Sequence, residues 1–382
     1  MRAAPDHLHA PPHDTNRPLG ALFAIAIALP LVVSLVSVAL GVTGPGRDGA
    51  APWPARVTSV KNLGKWPERF RRWFKDHYAF RRPLIRAHGR LLFQGFGLSP
   101  SPTVLIGRDG WWYYADDGAM EDIVSASPLG ARDLEIWRRT LDHNREWLAA
   151  RGIPYLFVLA PDKHLVYPEF LPATVRPLGG ARTDQLTEYV RAHSQVDVLD
   201  LRPVLIDAKR AGRVYHRTDT HWNKRGSLVA YLEIVRWIAR VRPGTPVPAR
   251  DDFEFYTATG GGHDLPRMLG LESLVSEEIL EVHPRTPRRA RVVEPADGGT
   301  DLERGRVVTE LPDPSLPRIL FFRDSFLSPL IPFLAEQCSR CVFLWEKDLD
   351  PAAVERERPD IVIHQMVGRR LQTYLPYDAV GK

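Results

Sequence analysis

The sequence predicts an α/β domain: a mostly parallel sheet flanked by helices, carrying an inserted irregular, β-rich lobe and preceded by a transmembrane helix. Three observations predict it. From residue 131 onward, short unbroken apolar runs alternate with helical patterns, as in parallel sheets whose two faces are covered. Residues 250–316 interrupt that alternation with Gly- and Pro-rich stretches. Near the N-terminus, Leu19 to Val42 is an uncharged, predominantly apolar run of 24 residues.

Composition narrows the classes. The 382 residues are 44% hydrophobic and 25% charged, enough for one large domain or two modest ones. Lys and Arg (51) nearly balance Asp and Glu (46), for a net charge of +5, so no global polycation is present to hold nucleic acid. The 34 prolines, about twice the usual share, spread through connections and read as loop punctuation. Two cysteines, Cys338 and Cys341, exclude a disulfide-rich scaffold. No second Cys/His pair at zinc spacing accompanies them, and the segment reads as a helix end running into a strand. Core packing or a local disulfide is expected.

In chain order, residues 1–18 are a tail and 19–43 an anchor. At about 1.5 Å per residue the apolar run spans a hydrocarbon core of about 30 Å, and Pro30 kinks it without breaking it. A cleaved signal peptide is the alternative, with Ser37 and Ala39 marking a small-residue site. The run is longer than a usual signal core, which favours an uncleaved anchor. Arg2 and Arg17 before it, and Arg47, Arg56 and Lys61 after it, leave orientation undecided by charge. Residues 44–59 are a linker, and 60–378 form the soluble domain.

That domain opens at Trp66-Pro67, with Pro67 suited to a helix's first turn. Phe70, Trp73, Phe74, Tyr78, Ile85, Leu92 and Phe93, interleaved with Arg and Lys, read as an amphipathic helix with a solvated basic face. Val104 to Tyr114 is a hairpin turning at Asp109-Gly110. A helix over about 131–151 ends at Gly152, followed by the strand Tyr155 to Leu159. A helix near 181–194, the strand Val196 to Leu201 and a helix beginning after Asn223 come next. Arg318 to Phe322 is a buried-looking strand followed by a helix to about Gln337. Val342 to Trp345 and Ile361 to Ile363 are the last strands.

Two short constellations carry chemistry. In Tyr215-His216-Arg217-Thr218-Asp219-Thr220-His221-Trp222-Asn223, the carboxylate two residues before His221 is the orienting partner a general-base histidine needs. A polar loop capped by Asn223 has the same composition. In Arg323-Asp324-Ser325-Phe326, a serine at a strand-to-helix turn presents its hydroxyl beside free helix amides, which can hold an oxyanion. Plain capping by Asp324 or Ser325 is the competing reading. In a parallel sheet both constellations sit at or beyond carboxyl ends of strands, where open α/β sheets place active sites.

From about Val60 to Tyr374 the chain resembles the AlgX/AlgJ family of SGNH-hydrolase-like polysaccharide O-acetyltransferases. The shared motifs run in order: Trp73-Phe74-Lys75-Asp76-His77-Tyr78-Ala79-Phe80-Arg81, then Gly107-Arg108-Asp109-Gly110-Trp111, then Pro161-Asp162-Lys163-His164-Leu165-Val166-Tyr167-Pro168. Thr218-Asp219-Thr220-His221-Trp222-Asn223, Asp264-Leu265-Pro266-Arg267-Met268-Leu269-Gly270-Leu271 and Arg323-Asp324-Ser325-Phe326 complete the set. The resemblance implies an SGNH-hydrolase-like fold and a triad of Asp219, His221 and Ser325. Arg323 stands where the general SGNH signature has glycine. The resemblance further implies a domain on the periplasmic side of an inner membrane, a polysaccharide acceptor, and a membrane-bound O-acyltransferase as acetyl supplier. The same triad serves an acetyl-esterase, and a non-catalytic role in polysaccharide export is the third reading. No metal-ligand spacing or phosphate-binding Gly loop appears, so no cofactor is expected.

Overall fold

A computed structural model describes residues 60–77, 81–176, 179–261, 263–294 and 305–376, with scattered positions between 20 and 36. Most of the expected anchor over 19–43 lies outside the described residues. Among the described residues, no helix is long and apolar enough to cross a membrane. The chain divides into two compact units, 1–91 and 92–382. The first contains the helices Val60–His77 and Arg81–Arg90. Pro67 falls inside Val60–His77, well past its first turn, where the ring of Trp66 stacks on Phe70 at 5.1 Å.

The second unit is built on a seven-stranded sheet in the order β4-β3-β11-β9-β10-β8-β7. Its five parallel strands are β3 (Tyr155–Ala160), β4 (Asp197–Asp200), β9 (Arg318–Phe322), β10 (Arg340–Leu344) and β11 (Ile361–Val367). Two antiparallel strands, β7 (Arg291–Glu294) and β8 (Val307–Glu310), extend one edge. These come from the segment read as a separate lobe, so part of that insertion belongs to the main sheet. The rest pairs β5 (Phe253–Gly261) with β6 (Ser276–Pro284). The expected hairpin is the antiparallel pair β1 (Val104–Ile106) and β2 (Trp112–Tyr114), with Asp109 and Gly110 both at positive φ in its turn.

Side-chain alternation along the strands explains why both faces are dry. Leu156, Val158, Ile319, Phe321 and Ile363 point to the face covered by the helix Lys224–Val241. Tyr155, Phe157, Leu320, Phe322 and Val362 point to the other, against Trp137 and Leu141 of Ala131–Ala149 and Leu186 of Arg182–His193. Each fully buried Leu, Ile or Phe contributes about 1.5–3 kcal/mol. Cys338 and Cys341 form a buried disulfide at the start of β10.

The parallel register aligns the carboxyl ends of β3, β11 and β9: Val367 lies opposite Ala160, and His364 opposite Phe322. The loops that follow, at residues 161–163, 323–325 and 368–369, therefore emerge along one edge of the sheet.

Candidate active site

Ser325 begins a 3-10 helix, Ser325–Leu330, directly after β9. Asp324 caps it, accepting from the Phe326 amide at 2.9 Å. The same carboxylate accepts from the Val367 amide at 2.8 Å and the Gln365 amide group at 2.9 Å, while Gln365 Oε1 accepts from the Asp324 amide at 3.1 Å. Capping thus falls to Asp324, tied to the neighbouring strand β11, and the Ser325 hydroxyl is left for other use. The Ser325 amide is a first-turn N–H, with no acceptor within its own helix.

Asp219 and His221 lie in a bent loop closed by a bridge between Tyr215 and Trp222. Asn223 ends the loop and caps Lys224–Val241 through the amides of Arg225 and Gly226. The bend lets both the backbone amide (2.9 Å) and Nδ1 (2.7 Å) of His221 donate to Oδ1 of Asp219. Nε2 then faces the Ser325 hydroxyl at 2.8 Å. With Nδ1–H committed to a carboxylate, Nε2 is the acceptor and the serine O–H the donor. Residues 104 apart in sequence form one line of hydrogen bonds.

The electrostatics follow from this line. Burial opposes the charged form of His221, but the hydrogen bond and charge of Asp219 outweigh it and raise the imidazole above its ordinary 6.5. Burial likewise opposes the Asp219 carboxylate, yet its bonds to His221 hold it well below the usual carboxylate range. The His221 ring packs on Phe326 at 4.8 Å, and Phe326 meets Trp222 edge-on at 5.1 Å, an apolar wall beside the reacting atoms.

A second layer fixes the loop. The buried Lys163 ammonium donates to the carbonyls of His216 (3.1 Å), Arg217 (3.0 Å) and Asp219 (2.7 Å). Burial pushes Lys163 down to about 8, against the pull of Asp264, Asp219 and Glu277. Glu277 on β6 accepts from the Thr218 hydroxyl at 2.7 Å and the Arg217 amide at 2.8 Å. Asp264 accepts from the Thr220 amide at 2.8 Å; burial and the Asp219 charge raise its carboxyl. Among the described residues, two sets of side chains have metal-ligand proximity: Asp219, His221 and Asp264, whose atoms serve the hydrogen bonds above, and His216, His263 and Glu277. Lys163 and Asp264 sit in motifs already singled out in the sequence, though without an assigned role. Gln365, His263 and Glu277 carried no signal, being single polar residues in unrelated segments.

Comparisons with known proteins bear on this geometry. The model of the family described as "SGNH hydrolase-like domain, acetyltransferase AlgX" matches residues 104–302, which includes Asp219 and His221 and stops before Ser325. The chain is similar to the probable alginate O-acetylase AlgJ of Pseudomonas syringae pv. tomato, 26% identical over 228 residues, covering 57% of this chain and 54% of that protein. It is 27% identical to the Pseudomonas fluorescens protein of the same name over 236 residues, or 61% and 57% of the two chains. The chain thus spans a little over half the length of these curated relatives. In fold it is similar to Bacillus cereus PatB1, with a TM-score of 0.53 at 15% identity over 69% of this chain and 95% of that one. With the family model matching more than half of its length and the α/β frame in place, the chain belongs to the family of the SGNH hydrolase-like domain of acetyltransferase AlgX.

Proposed function

We propose that the protein is an O-acetyltransferase that moves acetyl groups onto hydroxyls of a polysaccharide through an acetyl-Ser325 intermediate. The observation that carries this reading is the unbroken line Asp219–His221–Ser325. Ser325 Oγ attacks the acetyl carbonyl of a donor ester as its proton passes to Nε2 of His221, and Asp219 stabilises the imidazolium. The Ser325 amide donates to the oxyanion. Collapse expels the donor's alkoxy group, which takes the proton from His221. A sugar hydroxyl then loses its proton to His221 and attacks the acetyl-serine, regenerating the Ser325 hydroxyl. The AlgJ relatives, named as probable alginate O-acetylases, support a polysaccharide acceptor. A membrane-bound O-acyltransferase as acetyl supplier and a body on the extracytoplasmic face of the membrane complete the proposal. The disulfide supports that placement, since such bonds persist in oxidising compartments.

The test is mass spectrometry after exposure to an aryl acetate. Acetyl should appear on Ser325 and vanish in Ser325→Ala. His221→Ala should lose nearly as much, and Asp219→Asn somewhat less, because base and nucleophile remain. Losses in combined variants should be far from additive. Label on another residue, or a folded Ser325→Ala with full turnover, refutes the acyl-enzyme. With a glycan oligomer present, transfer to sugar should outrun hydrolysis; the reverse ratio on the right polymer supports an esterase.

A further inference from the structure

The inserted segment brings side chains to the far oxygen of Asp219. His216 lies in the Asp219 loop, His263 just before the helix Asp264–Leu269, and Glu277 on β6. One ligand atom from each lies within 4.8 Å of the other two. Nε2 of His263 is 3.4 Å, and Nδ1 of His216 3.9 Å, from Oε1 of Glu277. Ligands around a tetrahedral ion with bonds of about 2.0–2.2 Å stand roughly 3.3–3.6 Å apart, so only small shifts are needed.

Two further features of His263 point to a ligand. Its Nε2 makes no hydrogen bond and stands beside the Glu277 carboxylate at 3.4 Å. Its Nδ1 faces Oδ2 of Asp219 at 3.6 Å. A metal-bound imidazole characteristically gives its other N–H to a carboxylate, and Asp219 is the carboxylate beside this one. Glu277, the third ligand, is held in place by Thr218, Arg217 and, at 3.1 Å, Arg213.

We propose that His216, His263 and Glu277 form a binding site for one zinc-like divalent cation, linked through His263 to the carboxylate of Asp219. Two imidazoles and one carboxylate suit zinc-type ions, whereas magnesium and calcium take oxygen ligands. Glu277 and Asp219 favour a dication, and Lys163 and Arg213 oppose it. Bound there, it draws on Asp219 through one carboxylate oxygen and weakens the hold of the other on His221 Nδ1–H. Loading therefore slows acylation of Ser325.

The full-length chain, stripped with a chelator, is titrated with Co2+ and then with Zn2+. One Co2+ per chain is expected to give visible absorption of tetrahedral intensity, displaced by one Zn2+ and not by Mg2+. His216→Gln and His263→Gln, each with wild-type circular dichroism, should weaken binding at least tenfold. These variants carry the test if Glu277→Gln misfolds through loss of its hold on Thr218. Absence of saturable binding, or binding as tight as wild type in both histidine variants, overturns the site. Zinc that binds without slowing acylation overturns its link to Asp219. Failure of the metal-free protein to acylate refutes the acyl-enzyme reading alone and leaves the cobalt titration standing.

Discussion

At the residue scale, the site is a set of short bonds between residues that are ordinary in sequence. Asp219, His221 and Ser325 were legible as candidates because carboxylate-x-histidine and serine after an apolar strand are local patterns. Their union was not, because it depends on the bend that turns Asp219 back onto His221 and on the register that sets β9 beside β11. Lys163 shows the limit most clearly. A lysine beside a histidine in sequence reads as surface charge, yet here the ammonium is buried and spends its protons on three backbone carbonyls of the Asp219 loop. Lys163→Met keeps the stem and removes the donors. Each carbonyl left unmet costs about 1–3 kcal/mol, so denaturant unfolding should show a clear loss of stability. Acylation of Ser325 should slow with little change in substrate KM, since Asp219 loses its placement and the binding surface does not. Wild-type stability and rate in Lys163→Met would show that the loop holds itself.

At the element scale, the sequence rendered best what is apolar and continuous. β3 and β9 were read within a residue because parallel strands covered on both faces are unbroken apolar runs. β11 was ended at Ile363 because polar residues follow. It continues to Val367, with His364 bonded to the Tyr155 hydroxyl at 3.2 Å and Gln365 bracing Asp324. The helix expected after Ser325 is broken into 3-10 and α pieces, with Pro329 and Pro332 in the run. β7 and β8 were missed inside a Gly- and Pro-rich segment that gives them no apolar frame; β7 is exposed throughout. One glycine explains how the Asp219 loop meets its helix. Gly226 is in the first turn of Lys224–Val241, where an added Cβ would lie 2.1 Å from the Val214 carbonyl oxygen. That carbonyl accepts from Asn223 at 3.0 Å, the bond that closes the loop. Gly226→Ala gains helix propensity, by about 1 kcal/mol, but must push the two chains apart. A net fall in melting temperature with slowed acylation is expected; a stabilised, fully active variant would show that the close approach is dispensable.

At the scale of the whole molecule, the α/β plan was legible from alternation alone, whereas the joining of the inserted segment to both sheet and site was not. The proposed extracytoplasmic body has a direct check: protease added to spheroplasts should digest it while cytoplasmic markers survive, and full protection refutes it. The stability of the body carries a further signature in His364, which lies on β11 in the interior of the sheet. Burial drives its imidazole down from the ordinary 6.5 to about 4, against the milder pull of Asp348, a hydrogen bond to the Lys347 backbone and the charge of Asp324. In the folded protein it is therefore neutral at pH 5.5, while in the unfolded chain it is protonated. Between these two values the unfolded state binds more protons than the folded one, so stability rises with pH across that window. The contribution is complete above about pH 6.5 and is lost as pH falls toward 4. His364→Phe should keep an apolar ring in the same space while removing one of the Tyr155 hydroxyl's hydrogen bonds and leaving it that to Asn144. It should therefore be somewhat less stable than wild type at pH 8 and close that gap, or reverse it, at pH 5. Urea unfolding of both proteins across this range decides the matter: parallel curves would mean that His364 does not titrate between the folded and unfolded states.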